Sequence, residues 1–151
     1  MKYLFSILII SALSFQVSAQ ESMEKIMESR AREMVRVIGL NDKEQWKKFI
    51  KENFTEAFIK KNMKAKVVET DSNDGTTVSE ETSDANNLKA KVAMFARLHD
   101  DFDDGKIASL KTTDDKVEMI VNTAQLKGTF TLKFENKKPY LIDGLGIQAG
   151  N

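Results

Sequence analysis

From residue 23 onward, apolar side chains recur at three- and four-residue steps. Met23, Ile26, Met27, Met34, Val35 and Ile38 form one stripe, which predicts an amphipathic helix over 21–38. Arg30, Arg32, Glu33 and Arg36 fill its other faces. Gly39 follows the last periodic residue, where a left-handed cap is expected. A second helix is predicted to begin at Asn41, with Glu44 three residues on completing a capping box. Trp46, Phe49, Ile50, Phe54, Ala57 and Phe58 share its apolar face. Thr55 is itself a good N-cap, so a break near Asn53 and a short restart to about Lys61 are expected. In residues 62–83, Val67-Val68, the turn signal Ser72-Asn73-Asp74-Gly75 and Thr76–Glu80 fit either a hairpin or a polar loop. A third helix, from Ser83 or Asp84 to Asp101, carries Leu88, Val92, Phe95, Leu98 and Phe102.

After Gly105 the period changes from 3.6 to 2. Ile107–Thr112, Lys116–Thr123, Thr129–Glu135 and Tyr140–Gln148 read as four strands. Turns are placed at Thr113-Asp114-Asp115, Lys127-Gly128 and Asn136–Pro139. Links this short join antiparallel neighbours. The predicted architecture is α+β: N-terminal amphipathic helices packed on a curved antiparallel meander of about four strands, whose apolar face they must cover.

Ahead of this pattern lies a different one. Lys2, the apolar run Tyr3–Phe15 and the small-residue exit Val17-Ser18-Ala19 have the order of a secretory signal peptide. The run is shorter than the ~20 residues a spanning helix needs. Residues 1–19 are therefore read as a leader cleaved between Ala19 and Gln20, and 20–151 as a single α+β domain. The location expected is the periplasm or the medium, with no membrane association after cleavage. The domain has 132 residues, enough for one core. Lys2 is the only charge lost with the leader, so 22 basic residues face 23 acidic ones. That balance predicts no broad attraction to nucleic acid or anionic lipid, though local patches are compatible with it. Cysteine is absent, which removes thiol nucleophiles and thiolate metal sites. The single histidine rules out a multi-histidine zinc site within one chain.

Some residues carry a resemblance. The third helix ends in Phe95-Ala96-Arg97-Leu98-His99-Asp100-Asp101-Phe102, and the meander closes on Lys138-Pro139-Tyr140-Leu141-Ile142-Asp143-Gly144-Leu145-Gly146-Ile147. With the element order, these stretches resemble a small extracytoplasmic domain found ahead of bacterial beta-lactamase-like serine hydrolases and C-terminal processing peptidases. That domain is similar to the nuclear-transport-factor-like, or cystatin-like, superfamily. The resemblance implies a curved sheet wrapping helices into a cone, and an accessory or recognition role rather than a reaction. Asn151 comes four residues after Ile147, so no hydrolase or peptidase domain is expected to follow, and an accessory role would be exercised in trans or alone.

The search for chemistry yields no catalytic residue, cofactor site or metal site. There is no G-x-S-x-G elbow and no phosphate-binding glycine loop. Read as an EF-hand with Gly105 sixth, Asp100–Lys111 places Phe102 and Lys111 at ligand positions. Thr70–Glu81 begins on a threonine. Both are read as solvated turns. His99, beside Asp100 and Asp103, is the residue best able to act as an acid or base, but Asp100 falls on another helix face. His99 is therefore expected to be a half-buried residue of the helix end. Trp46, His99, Asp100 and Tyr140 are the candidate pocket residues, with core roles expected for Trp46 and Tyr140. The sequence points to an exported, non-enzymatic binding or accessory domain for an unidentified protein or small molecule. The alternatives are a cone-pocket isomerase or hydrolase using His99 with a carboxylate, and a self-associating, homodimeric envelope protein.

Overall fold

The computed structural model describes residues 23–61 and 84–150. The leader, its cleavage site, the 62–83 hairpin or loop and the Thr70–Glu81 loop lie outside those residues. The chain runs through α1 (23–38), α2 (Lys43–Asn53), α3 (Glu56–Lys60) and α4 (Asp84–Phe102). Four strands follow: β1 (Lys106–Thr113), β2 (Lys116–Asn122), β3 (Lys127–Phe134) and β4 (Ile142–Gly150). They pair antiparallel in the order β1-β2-β3-β4, an open meander. This is the α+β arrangement the change of period predicts. Among the described residues no helix is long and apolar enough to cross a membrane.

The register fixes the two faces of the sheet. One row runs Leu110, Met119, Phe130, Ile147; the next runs Thr112, Val117, Leu132, Leu145. These rows, with Val121, Phe134 and Ile142, face the helices. α1 contributes Met27, Ala31, Met34, Val35, Val37 and Ile38; α2 contributes Trp46, Phe49 and Ile50; α4 contributes Phe95, Leu98 and Phe102. Each fully buried Val, Leu, Ile, Phe or Met side chain among these stabilises the fold by about 1.5–3 kcal/mol through removal from water. Phe54 sits at the junction of the layers. Its ring stacks on Phe58 at 4.7 Å and meets Phe95 edge-on at 6.2 Å.

Several local features differ from the sequence expectations. The N-cap of α2 is Asp42, whose carboxylate accepts from the Glu44 and Gln45 amides, and not Asn41. Glu44 pairs forward with Lys47 at 3.6 Å instead of closing a capping box. No described glycine has positive φ, so Gly39 supplies no left-handed cap. Its lack of a side chain matters for space, since a Cβ there would lie 3.0 Å from the Asp103 carbonyl. Lys127 and Gly128 are not a turn but the first residues of β3, and the turn lies at Thr123–Leu126. There the Thr123 hydroxyl accepts from the Gln125 and Leu126 amides. Tyr140 precedes β4 rather than opening it, because its φ of 57° is incompatible with a strand. The expected break after Asn53 is present: Thr55 caps α3 through the Phe58 amide, and its own amide donates to the Ile142 carbonyl at 2.9 Å.

Candidate functional site

The C-terminal end of α1 is where the most suggestive side chains meet. A helix leaves its last carbonyls without intrahelical donors. Here Trp46 Nε1 donates to the Val37 carbonyl at 2.9 Å and His99 Nδ1 donates to the Ile38 carbonyl at 2.8 Å. The two rings lie against one another, with centroids 5.7 Å apart and planes inclined at 46°. Trp46 is buried and His99 half-buried. The indole and imidazole thus replace the glycine cap the sequence suggests. They hold three helices together, and neither lines the two recesses described below.

Asp100 does not join them. It is exposed and lines a recess of about 120 Å³ with Asp101, Asp103, Asp104 and the Thr123–Gln125 turn. A broader recess of about 440 Å³ adjoins it, bounded by Asp104, Lys106, Ala108 and Asn122. Asp103 turns its carboxylate back onto the Asp104 amide at 2.8 Å. Among the described residues no group of three or more acidic or histidine side chains is arranged to hold a metal ion. Tyr140, half-buried, stands apart in the β3–β4 loop, its amide donating to the Lys137 carbonyl at 2.8 Å. Of the four pocket candidates, the structure brings together only Trp46 and His99.

Two cations were not singled out by the sequence pattern. Arg30, assigned above to a polar face, is half-buried. Its guanidinium donates to Asn53 Oδ1 and, at 3.0 Å, to the Pro139 carbonyl, tying α1 to the end of α2 and to the β3–β4 loop. Its Nε is buried without a partner. Burial lowers its pKa, partly offset by Glu135. Lys91 is only 2% exposed. Its ammonium donates to the Lys61 carbonyl at 2.8 Å and lies 4.7 Å from the centre of the Phe58 ring. It falls on the α4 stripe, three residues after Leu88 and four before Phe95, so the helical period does contain the signal for its burial.

Burial, with a smaller contribution from Lys61, lowers the Lys91 pKa below the usual lysine value. In the unfolded chain the amine keeps its ordinary pKa near 10.4. Between the two values the unfolded state binds the extra proton, so stability rises with pH there. The penalty for burying the charge is fully present below the folded pKa and relieved as pH climbs to the unfolded one. Urea titrations from pH 7 to 10 are expected to show this rise in the wild type, and Lys91→Met is expected to flatten it. Equal slopes in the two proteins would exclude Lys91 as its source.

The remaining face of the sheet points to solvent. Its rows read Lys106-Asn122-Lys127-Gly150, then Ser109-Ile120-Thr129-Gln148, then Lys111-Glu118-Thr131-Gly146, then Thr113-Lys116-Lys133-Gly144. Five lysines face one glutamate, and all six are exposed. Lys133 approaches Asp115 at 3.9 Å. Among the described residues, Lys106, Lys111, Lys116 and Lys127 have no carboxylate within 4.0 Å. A chain with balanced charge overall has therefore collected a strong positive excess on one face of its sheet. The alternation of single strands hints at this, but only the cross-strand register assembles it. No protein-family model, curated protein or solved structure matches this sequence.

Proposed function

We propose that this chain is an exported, non-enzymatic binding domain that engages an anionic partner through the outer face of its sheet. The observation that carries this reading is the row-by-row register that brings Lys106, Lys111, Lys116, Lys127 and Lys133 onto one exposed plane, with Glu118 the one acid within the rows and Asp115 beside Lys133 at their edge. The non-enzymatic part is supported by the separation of His99 from its carboxylate: its Nδ1–H holds the Ile38 carbonyl, while Asp100 lines a recess with Asp101, Asp103 and Asp104, so the acid–base pair is not assembled. Export is supported by the charge, apolar core and small-residue exit of residues 1–19.

The test is binding to long-chain inorganic polyphosphate, followed by fluorescence anisotropy at low ionic strength. The triple variant K106Q/K111Q/K127Q should weaken binding by roughly fivefold or more, since attraction scales with the local field. The charge-matched triple K43Q/K48Q/K51Q, on exposed positions of α2, should change it by less than about twofold. Equal losses in the two variants would mean that net charge alone governs binding, and the sheet-face reading would fall.

A further inference from the structure

Resting on that reading, we infer that the partner of the outer sheet face is an anionic phospholipid surface, onto which the domain adsorbs electrostatically without inserting. The argument begins with the shape of the array. The lysines occupy β1, β2 and β3 and extend from the Lys106–Asn122–Lys127 row to the Thr113–Lys116–Lys133 row. At the spacings of a β-sheet this is about 20 Å along the strands and about 10 Å across them. The charge is spread in two dimensions rather than drawn into a line, which matches a plane of headgroups better than a single polymer strand.

Composition narrows the partner further. Single-stranded nucleic acid is held by aromatic stacking as well as charge, and none of the sixteen residues of the four outward rows is aromatic. Protein interfaces are enriched in arginine and aromatic residues and depleted in lysine; this face has no arginine and five lysines. An isologous dimer through this face would set lysine against lysine. Lysine is a point charge on a flexible stem, suited to phosphates that offer no fixed geometry. Ile120, half-buried at the centre, is the only large apolar side chain in those rows. That leaves too little apolar surface for an inserted face. Thr129 and Thr131 flank it, with Ser109 and Gln148 at the ends of its row, offering hydrogen bonds at headgroup level. The balanced net charge leads to the opposite expectation; the segregation of charge reverses it, because an adsorbed protein presents one face and the Debye length of about 8 Å screens the rest.

The experiment is co-sedimentation of the chain, collected from the exported fraction of its expression host, with vesicles of phosphatidylcholine alone or with 30% phosphatidylglycerol. Binding is expected only to the anionic vesicles, and to fall steeply between about 50 and 300 mM salt. A lysine near such a surface contributes roughly a fivefold factor in partitioning. K106Q/K111Q/K127Q should therefore lose at least about tenfold, and K43Q/K48Q/K51Q much less, with unchanged thermal transitions showing that both variants fold. Equal binding to neutral and anionic vesicles, or equal losses in the two variants, would overturn the inference. So would face-dependent binding of polyphosphate with no binding to anionic vesicles; that outcome removes the lipid assignment and leaves the proposed binding face standing.

Discussion

Trp46→Ala should lower the unfolding free energy by about 3–5 kcal/mol, the range for removing a fully buried aromatic side chain. Two losses combine. The indole is 1% exposed and lies within the core cluster that joins α1, α2 and α4. Its Nε1–H donates to the Val37 carbonyl at the end of α1, which also accepts from the Leu40 amide at 3.1 Å, so truncation removes one of that acceptor's two donors. Trp46→Phe separates the terms. It keeps most of the ring, forfeits the hydrogen bond, and should cost about 1–2 kcal/mol. Urea denaturation followed by far-ultraviolet circular dichroism provides the measurement. Trp46 is the only tryptophan, so its fluorescence cannot compare the variants. A loss below about 1 kcal/mol for Trp46→Ala would show that the indole is not buried as described.

Gly128→Ala is expected to be the next most costly change, about 1–3 kcal/mol and towards the upper end. A Cβ at this position would meet the Phe102 ring at 2.6 and 2.7 Å and the Phe130 ring at 3.0 Å. Those rings are both buried and pack edge to face at 5.0 Å, so neither can swing aside. The end of α4 thus rests directly on the backbone of β3. Phe102→Leu alone should destabilise the protein, yet it should restore part of the stability of Gly128→Ala by vacating the occupied space. Thermal unfolding of the two single variants and the double variant reads this coupling. Strict additivity, or a Gly128→Ala protein within about 0.5 kcal/mol of wild type, would contradict the contact.

The same glycine shows where the sequence is legible and where it is not. Alternation along Val117, Met119 and Val121, and along Phe130, Leu132 and Phe134, gave the sheet its strands and its buried face, because both patterns are local. Gly128 reads as punctuation by local rules, but a ring from another element decides its role, and so it belongs to a strand. The true turn at Thr123–Leu126 depends on a threonine hydroxyl turning back on the next amides, a weaker signal than glycine. Asn41 and Asp42 are equally good caps on chemical grounds, and the docking of Trp46 fixes the phase of the helix one residue later. His99 stands half-buried in the last turn of α4. Its partner was not foreseeable, since the Ile38 carbonyl lies 61 residues away in the chain. The outer lysines are visible in the sequence one strand at a time, whereas their convergence is a property of register, which fixes which strand positions stand side by side.

The contacts that close this fold join its two ends. Arg30 reaches the Pro139 carbonyl across 109 residues, Thr55 reaches Asp143 across 88, and Glu28 reaches Thr112 across 84. During synthesis the early helices must therefore wait for the last strand before their buried faces are covered. Until then they are an apolar nascent chain with high loop-closure cost. Completion of the core consequently depends on the arrival of the sheet, so the helical half cannot reach its native packing ahead of the strands.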